Sequence, residues 1–485
     1  MTKSEAIAAV SREQTRLIQL SDAIWDHPQV KYQETFAAGL LSDFLREEGF
    51  TVETGVAGIP TAFCASYGSG APVIGLLAEY DALEGMSQAA EATTRQPVVK
   101  GAPGHGCGHN LLGVGAVGAA LAVRDYLKGG AKGTLKLFGC PAEEGGSGKT
   151  FMAREGVFDG TDIALTWHPG GGNAVMTGSM MANCQAYFRF TGKASHAAAA
   201  PHLGRSALDA VELMDVGVNY MREHIEPTDR IHYAVLDTGG TSPNVVQSHA
   251  EVLYLIRSTD AAKVRALYDR VCKIARGAAM MTETEVQIVF DKGCSETLSN
   301  PVLEGVLYDS MKKIPLPAYT PEELAYAAAI HETCLAFDPA SDLSLGFLPN
   351  RQKRHYAEIY RTKAMADLVV EHQHLDVFVP GSSDVGDASK VVPTAQFIAA
   401  TATPGTPAHS WQMTAQGKSG TAAKGMWYAA QVLADAAITL VQNPALIQKA
   451  KQEFREATEG KPYECPIPAN IPPHRNVEEL LALQK

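Results

Sequence analysis

Apolar residues recur at helical spacing over residues 4–24 and 34–48, and shorter strand-like runs follow at Thr51–Glu53, Thr61–Ser66 and Val73–Ala78. Helix and strand therefore alternate from the start. The run Val73-Ile74-Gly75-Leu76-Leu77-Ala78 is apolar on both parities, which predicts a strand buried on both faces, and it ends at Glu79-Tyr80-Asp81. The alternation continues with a helix over 110–128, a strand over 134–140, a helix over 148–155 and a strand over 163–166. Two of these strands run into polar clusters, Glu143-Glu144 and Trp167-His168-Pro169. Ligands collect at such carboxyl ends of strands in open α/β sheets. The stretch from Glu84 to about Gly104 shows no element of its own, and a loop that long in a compact domain is more often functional than idle.

From about residue 182 the rhythm changes to strand 184–192, helix 203–224, strand 231–237, strand 245–256, helix 260–278 and strand 284–291. This is the β-α-β-β-α-β order of a ferredoxin-like unit. Helical and strand-like segments then resume. The predicted fold class is α/β: a discontinuous central-sheet domain over 1–182 and 296–485, with a ferredoxin-like domain over 183–295 inserted into it. The proline-rich tail from Pro462 is predicted to be irregular.

Composition narrows the function classes. A chain of 485 residues with 46% hydrophobic content can bury a large core, while a net charge of −12 without Lys/Arg clusters argues against nucleic acid as a partner. The first residues, MTKSEAIAAVSREQ, lack the apolar core of an export signal, and the longest smooth apolar run, Leu111 to Val123, stops at Arg124-Asp125. No membrane partner is expected. Eight cysteines without a short-spaced framework suit a reducing compartment, so a cytoplasmic setting is predicted.

The chemistry concentrates in His-Gly-Cys-Gly-His-Asn at 105–110 and Pro-Ala-Glu-Glu-Gly-Gly at 141–146. A lone Cys-x-His is a weak metal signal, because structural zinc sites usually pair Cys-x-x-Cys elements. An acidic doublet is most often a solvated turn. Here, however, the apolar strand running into Glu143-Glu144 and the glycines at 145, 146 and 148 favour a site that needs close backbone approach. A dinuclear catalytic centre needs about five to seven protein ligand positions, and Cys107, His109, Glu144, His168 and His409 supply a plausible set. In the inserted domain, Gly-Lys-Ala-Ser-His-Ala-Ala (192–198) and Pro-His-Leu-Gly-Arg (201–205) lead into a helix. Arg205 at that helix start opposes the macrodipole unless an anion is near.

Together these motifs, with Trp25-Asp26-His27-Pro28 and Thr-Pro-Ala-His-Ser-Trp (406–411), resemble the M20 metallopeptidase family, in particular its amidohydrolase branch that cleaves N-acyl amino acids. The stretches Phe-Met-Ala-Arg-Glu-Gly-Val-Phe-Asp (151–159), Pro-His-Leu-Gly-Arg-Ser-Ala-Leu-Asp-Ala (201–210) and Ser-Ser-Asp-Val-Gly-Asp (382–387) are most similar to members acting on p-aminobenzoyl-glutamate. The resemblance implies a metal-binding catalytic domain and a lid that also makes a dimer. It places Cys107, His109, Glu144, His168 and His409 on two divalent ions, zinc or manganese, with Cys107 where relatives have the bridging ligand. Glu143 falls on the general base, His196 on a lid histidine that reaches the neighbouring site in related dimers, and Asn244 and Arg257 on residues that hold a substrate carboxylate. Arg205 joins them as a substrate-binding candidate.

The implied reaction is hydrolysis of p-aminobenzoyl-glutamate, with indole-3-acetyl-aspartate or another N-acyl acidic amino acid as the alternative. A homodimer is expected, or a heterodimer with a homologous subunit. Rival readings are a non-catalytic partner subunit, against which the intact Glu143 and ligand set speak, and a structural zinc module, disfavoured by the spare carboxylate. Two departures from the family pattern stand out. Asn110 replaces an aspartate, which is expected to alter only a hydrogen bond behind a ligand. Glu79-Tyr80-Asp81 lacks the His-x-Asp of the wider family, so the resemblance assigns no ligand near residue 79.

Overall fold

The computed structural model describes residues 1–484 apart from 335, 337, 339 and 341, and they divide into two compact units. The first unit comprises 1–179, 298–379 and 387–463. Its seven-stranded mixed sheet runs Thr51–Thr54, Phe63–Ser69, Gly133–Cys140, Val73–Glu79, Ile163–Gly170, Thr394–Ala400, Ala174–Val175. The run apolar on both parities is indeed central: Val73–Glu79 lies parallel to Gly133–Cys140 on one side and to Ile163–Gly170 on the other. Both of its faces are covered, which is why it shows no alternation.

One helix sets the geometry of the site. His109–Lys128 is buried along nearly its whole length, and small residues let it lie close on the sheet. A Cβ at Gly113 would stand 2.6 Å from the Glu79 carbonyl oxygen, and one at Gly115 would stand 2.7 Å from the Trp167 indole. Helix start and strand ends are thereby drawn together. The helix Gly420–Gln442 packs against it, so that Val117, Leu121, Met426, Ala430 and Leu433 share one core with Leu76, Leu137 and Leu165 from the sheet. The segment expected as one helix over 4–24 is two, Lys3–Arg12 and Gln14–Asp26, divided at Glu13.

The second unit comprises 180–297, 380–386 and 464–485. Its antiparallel sheet has the order Glu285–Cys294, Ala182–Thr191, His249–Ser258, Arg230–Asp237, with the helices Ala207–Met221 and Ala261–Thr282 packed together on it. This is the ferredoxin-like arrangement. Burial alternates with period two along His249–Ser258, sending Val252, Tyr254 and Ile256 into the core. Two segments beyond 183–295 belong to this unit. Residues 464–484 are anchored by a buried His474 Nε2 to Asp291 Oδ1 pair of 2.8 Å and by Arg189 to Glu478 at 2.9 Å. The tail is also not irregular throughout, since Asn476 caps a helix, Val477–Leu483, by accepting the Glu479 amide N–H.

Candidate metal centre

The Cys107 loop is built by closure of the long segment before it. Leu83 and Gly104 exchange two backbone hydrogen bonds of 3.1 and 3.0 Å, and a side chain at Gly104 would meet the Met86 carbonyl oxygen at 2.2 Å. Residues 84–103 thus form a loop with its ends tied, which delivers the chain to Cys107. Gly108 then adopts φ 78° and opens the helix at His109. Opposite, Ala142 and Ser147 carry φ of 60° and 58°, and His409 carries 55°. Such left-handed geometry in residues with side chains costs about 1–3 kcal/mol each and clusters where function demands it.

Three groups of side chains converge closely enough to hold an ion: Cys107 with His109 and His168, Cys107 with Glu144 and His409, and His109 with Glu79 and Glu143. All five ligand candidates read from the sequence are therefore brought together, and Cys107 is common to two groups. Cys107 Sγ lies 3.4 Å from His168 Nε2, and His409 Nε2 lies 3.2 Å from a Glu144 carboxylate oxygen. The His409 amide N–H is fixed by the Gly106 carbonyl at 3.0 Å.

The residues fit a metal. Asp81 accepts from His109 Nδ1 at 2.9 Å, which turns Nε2 toward the cluster, and its other oxygen accepts the Glu144 amide at 2.9 Å. His109 Nε2 and one Glu144 oxygen are buried with no hydrogen-bond partner among the described residues, a costly state for polar atoms that ligation would relieve. Their protonation tells the same story. Burial and the charge of Glu144 push the Cys107 thiol up, but His168 and His109 outweigh them and hold it at about 6. Burial disfavours the His168 imidazolium, yet the Cys107 thiolate raises it to about 9, and hydrogen bonds to Cys107 and Glu144 raise His409 to about 10. Burial raises Glu144, but His409 and His109 bring it down to about 2.

The sign of a pH effect follows. Near neutral pH the metal-free cluster holds His109, His168 and His409 protonated, whereas ligation requires neutral imidazole, so uptake should release about three protons. Metal affinity is expected to rise with pH through the range of 9 to 10 set by His168 and His409. Calorimetric titration in buffers of different ionisation enthalpy measures this directly; uptake without proton release would contradict it.

Three residues of this centre escaped the sequence reading. Asp81 is one. Glu79, to which the resemblance assigned no role, lies with one oxygen 3.4 Å from His109 Nε2 and the other 2.6 Å from Lys149 Nζ, both side chains being almost fully buried. A lysine in a glycine-rich run gives no local hint of such a partner. Asn110 also departs from expectation: its amide donates to Ser21 Oγ at 3.0 Å and to the Gly417 carbonyl at 2.9 Å, tying the helix start to the protein body.

A family model described as "Peptidase family M20/M25/M40" matches residues 75–472. The chain belongs to the M20 peptidase family. Among M20 relatives, a p-aminobenzoyl-glutamate hydrolase subunit of Escherichia coli (strain K12) is 46% identical over 467 residues, covering 96% of this chain and 97% of its own. Two solved structures share the fold. An aminobenzoyl-glutamate utilization protein from Klebsiella pneumoniae aligns with TM-score 0.59 and 18% identity over 90% of this chain and 98% of its own. A dinuclear metal binding M20 peptidase from Bacillus subtilis gives 0.54 and 18% over 89% and 99%.

The remaining candidates lie in the second unit, which in this M20 chain arranges them as follows. The loop at 192–200 is zipped to 244–248, with the Ala197 amide on the Asn244 carbonyl at 2.9 Å and the Val246 amide on the Ser195 carbonyl at 3.0 Å. His196 and Asn244 are thereby neighbours. His196 Nδ1 accepts the amides of Ala198 and Ala199 at 3.2 and 3.1 Å, so a neutral ring carries its proton on Nε2. Arg257 Nη1 donates to Ser382 Oγ at 2.8 Å, and among the described residues no carboxylate pairs with it. Arg205 is paired with Glu283 at 2.8 Å, which supplies the anion its helix-start position calls for.

Proposed function

We propose that this chain is a metal-dependent amidohydrolase that cleaves p-aminobenzoyl-glutamate to p-aminobenzoate and glutamate. The observation that carries the reading is the sharing of Cys107 between two ligand groups beside the adjacent carboxylates Glu143 and Glu144, in a chain 46% identical to the Escherichia coli hydrolase subunit over nearly its full length. Cys107, His109 and His168 would hold one divalent ion, and Cys107, Glu144 and His409 a second. Thiolate and imidazole suit zinc, while carboxylate also accepts manganese. Such ions, when bound, polarise an amide carbonyl and acidify water.

The chain's own residues divide the remaining work. Glu144 is committed to His409 and the ion site, whereas Glu143 takes the proton of the attacking water and returns it to the leaving amine nitrogen. His196 donates its Nε2 proton toward the oxygen on which charge develops. Arg257, which is half-buried and has no acidic partner among the described residues, binds the α-carboxylate together with Asn244, since a guanidinium fork matches carboxylate geometry. Arg205, already paired with Glu283, is left out of the substrate set.

Among the described residues no helix is long and apolar enough to cross a membrane, and no disulfide forms, which suits a cytoplasmic enzyme. We take the working form as a homodimer, or as a heterodimer with a homologous subunit, since the Escherichia coli relative is itself named a subunit. The test is release of p-aminobenzoate by the full chain reconstituted with zinc or manganese, alone and with a homologous subunit, against indole-3-acetyl-aspartate as competitor. Arg257→Ala should raise KM for the acid by roughly 10- to 100-fold, the worth of about 1.5–3 kcal/mol for a charged hydrogen bond. Absence of amide cleavage in both assemblies would remove the assignment, and equal cleavage of a substrate lacking the α-carboxylate would remove the role of Arg257.

A further inference from the structure

The segment Lys31-Tyr32-Gln33-Glu34 takes no part in the mechanism above, yet three of its four side chains grip the loop that carries Glu143 and Glu144. Glu34 Oε1 accepts the Ala142 amide at 2.9 Å, Tyr32 Oη donates to the Gly146 carbonyl at 2.6 Å, and Lys31 Nζ donates to the Gly145 carbonyl at 3.1 Å. The two ends of the loop are joined by the Gly146 amide on the Ala142 carbonyl at 2.9 Å. The fit leaves no space: a Cβ at Gly146 would lie 2.6 Å from the Tyr32 ring, and one at Gly145 would lie 3.2 Å from the Lys31 chain. The glycine pair that follows Glu143-Glu144 is thus explained by what lies across it.

Backbone strain marks both partners. Tyr32 has φ 59° and Ala142 has φ 60°, a conformation that residues with side chains rarely adopt unless their surroundings hold them there. Ala142 immediately precedes Glu143, so its left-handed geometry decides where both carboxylates point. Glu34 is fully buried, and its second oxygen finds no hydrogen-bond partner among the described residues. A carboxyl buried this deeply carries a desolvation cost that its hydrogen bond to the Ala142 amide does not by itself offset.

We propose that Glu34 and Tyr32 are positioning residues for the reaction: they hold the Ala142–Gly146 turn in its strained form and so set the aim of Glu143 and Glu144. The inference deepens the functional reading above and rests on it for the role of Glu143. Misplacing a reacting group by about 1 Å costs roughly 10²-fold in rate, which sets the expected effect. Burial and the neighbouring Asp81 push the Glu34 carboxyl up to about 8, so glutamine, which keeps the acceptor oxygen, is the fitting conservative replacement.

The test uses full-length protein loaded with cobalt(II), whose visible spectrum reports the geometry of Glu144, alongside kcat and KM. Glu34→Ala should lower kcat about 10²-fold at unchanged KM and metal content and shift the spectrum, while Glu34→Gln restores both. Tyr32→Phe, which removes one hydroxyl, should give an intermediate loss and decides the matter if Glu34→Ala does not fold. Wild-type kcat and spectrum in these variants would overturn the proposal, as would a glutamine variant no better than alanine, or losses that merely follow a fall in Tm and release of metal. Glu143→Gln assayed in parallel separates the two ideas. Should that variant be active, the base assignment fails and the spectrum still judges the clamp; should it be inactive while Glu34→Ala and Tyr32→Phe are normal, only the clamp fails.

Discussion

Glu143→Gln should lower kcat by roughly 10²–10⁴-fold, the usual worth of a positioned general acid–base group, while leaving two ions per chain and an unchanged fold. The expectation depends on two adjacent carboxylates doing different work. Glu144 is buried, is held by His409 at 3.2 Å, and has its amide fixed by Asp81, so its geometry is that of a ligand. Glu143 belongs instead with Glu79 and His109. The side-chain amide introduced by Glu143→Gln would keep the shape and lose the ability to accept a proton, so metal analysis and steady-state kinetics on one preparation distinguish the roles. If the Glu143→Gln variant turned over normally, Glu143 would not be the base. If it lost one ion, Glu143 would be a ligand and the proton acceptor would have to be sought elsewhere, with Glu79 the nearest carboxylate of the same group.

What could be read from the chain, and what could not, divides along sequence distance. The strand Val73–Glu79 and the inserted β-α-β-β-α-β unit were legible because burial on both faces, or on alternate residues, writes itself into a few consecutive positions. The five ligand candidates were legible because glycine- and proline-flanked His, Cys and Glu stand out at strand ends. The strand expected to stop at Thr166 continues to Gly170, because Thr394–Ala400, more than two hundred residues later, pairs with it and sets His168 beside Ile398. No local signal carries that register. Asp81 looked like one carboxylate among many until the fold brought His109 and the Glu144 amide to it. Lys149 and Glu79 were hidden for the same reason, since a buried ion pair leaves each partner looking like an ordinary surface residue in sequence. The prolines of the tail from Pro462 suggest an irregular segment, whereas the place of residues 464–484 in the second unit rests on His474 meeting Asp291.

Cys107→Ala and His409→Ala should differ in kind. Cys107 is common to the two groups proposed to hold the ions, and its thiol is held at about 6, ionised at neutral pH, despite burial and the charge of Glu144. A thiolate is the form that binds metal. If it bridges, its removal weakens both ions at once and leaves His168 and His109 on one side, and Glu144 and His409 on the other, each one ligand short. Cys107→Ala is therefore expected to fall from two ions toward none and to lose activity altogether. The affinity loss should exceed the ~10–100-fold that follows removal of an outer hydrogen-bond partner. His409 belongs to one group only and is half exposed, its side chain being 51% accessible, so His409→Ala should retain one tightly held ion. Competition with a chelator, read as metal per chain, separates the cases. Two ions retained in Cys107→Ala, or equal losses in both variants, would place the bridge on another residue. Because Cys107 also keeps His168 and His409 charged in the metal-free state, its removal should lower both imidazoles toward their ordinary range. That change can be followed by NMR titration of the apo variant, independently of any catalysis.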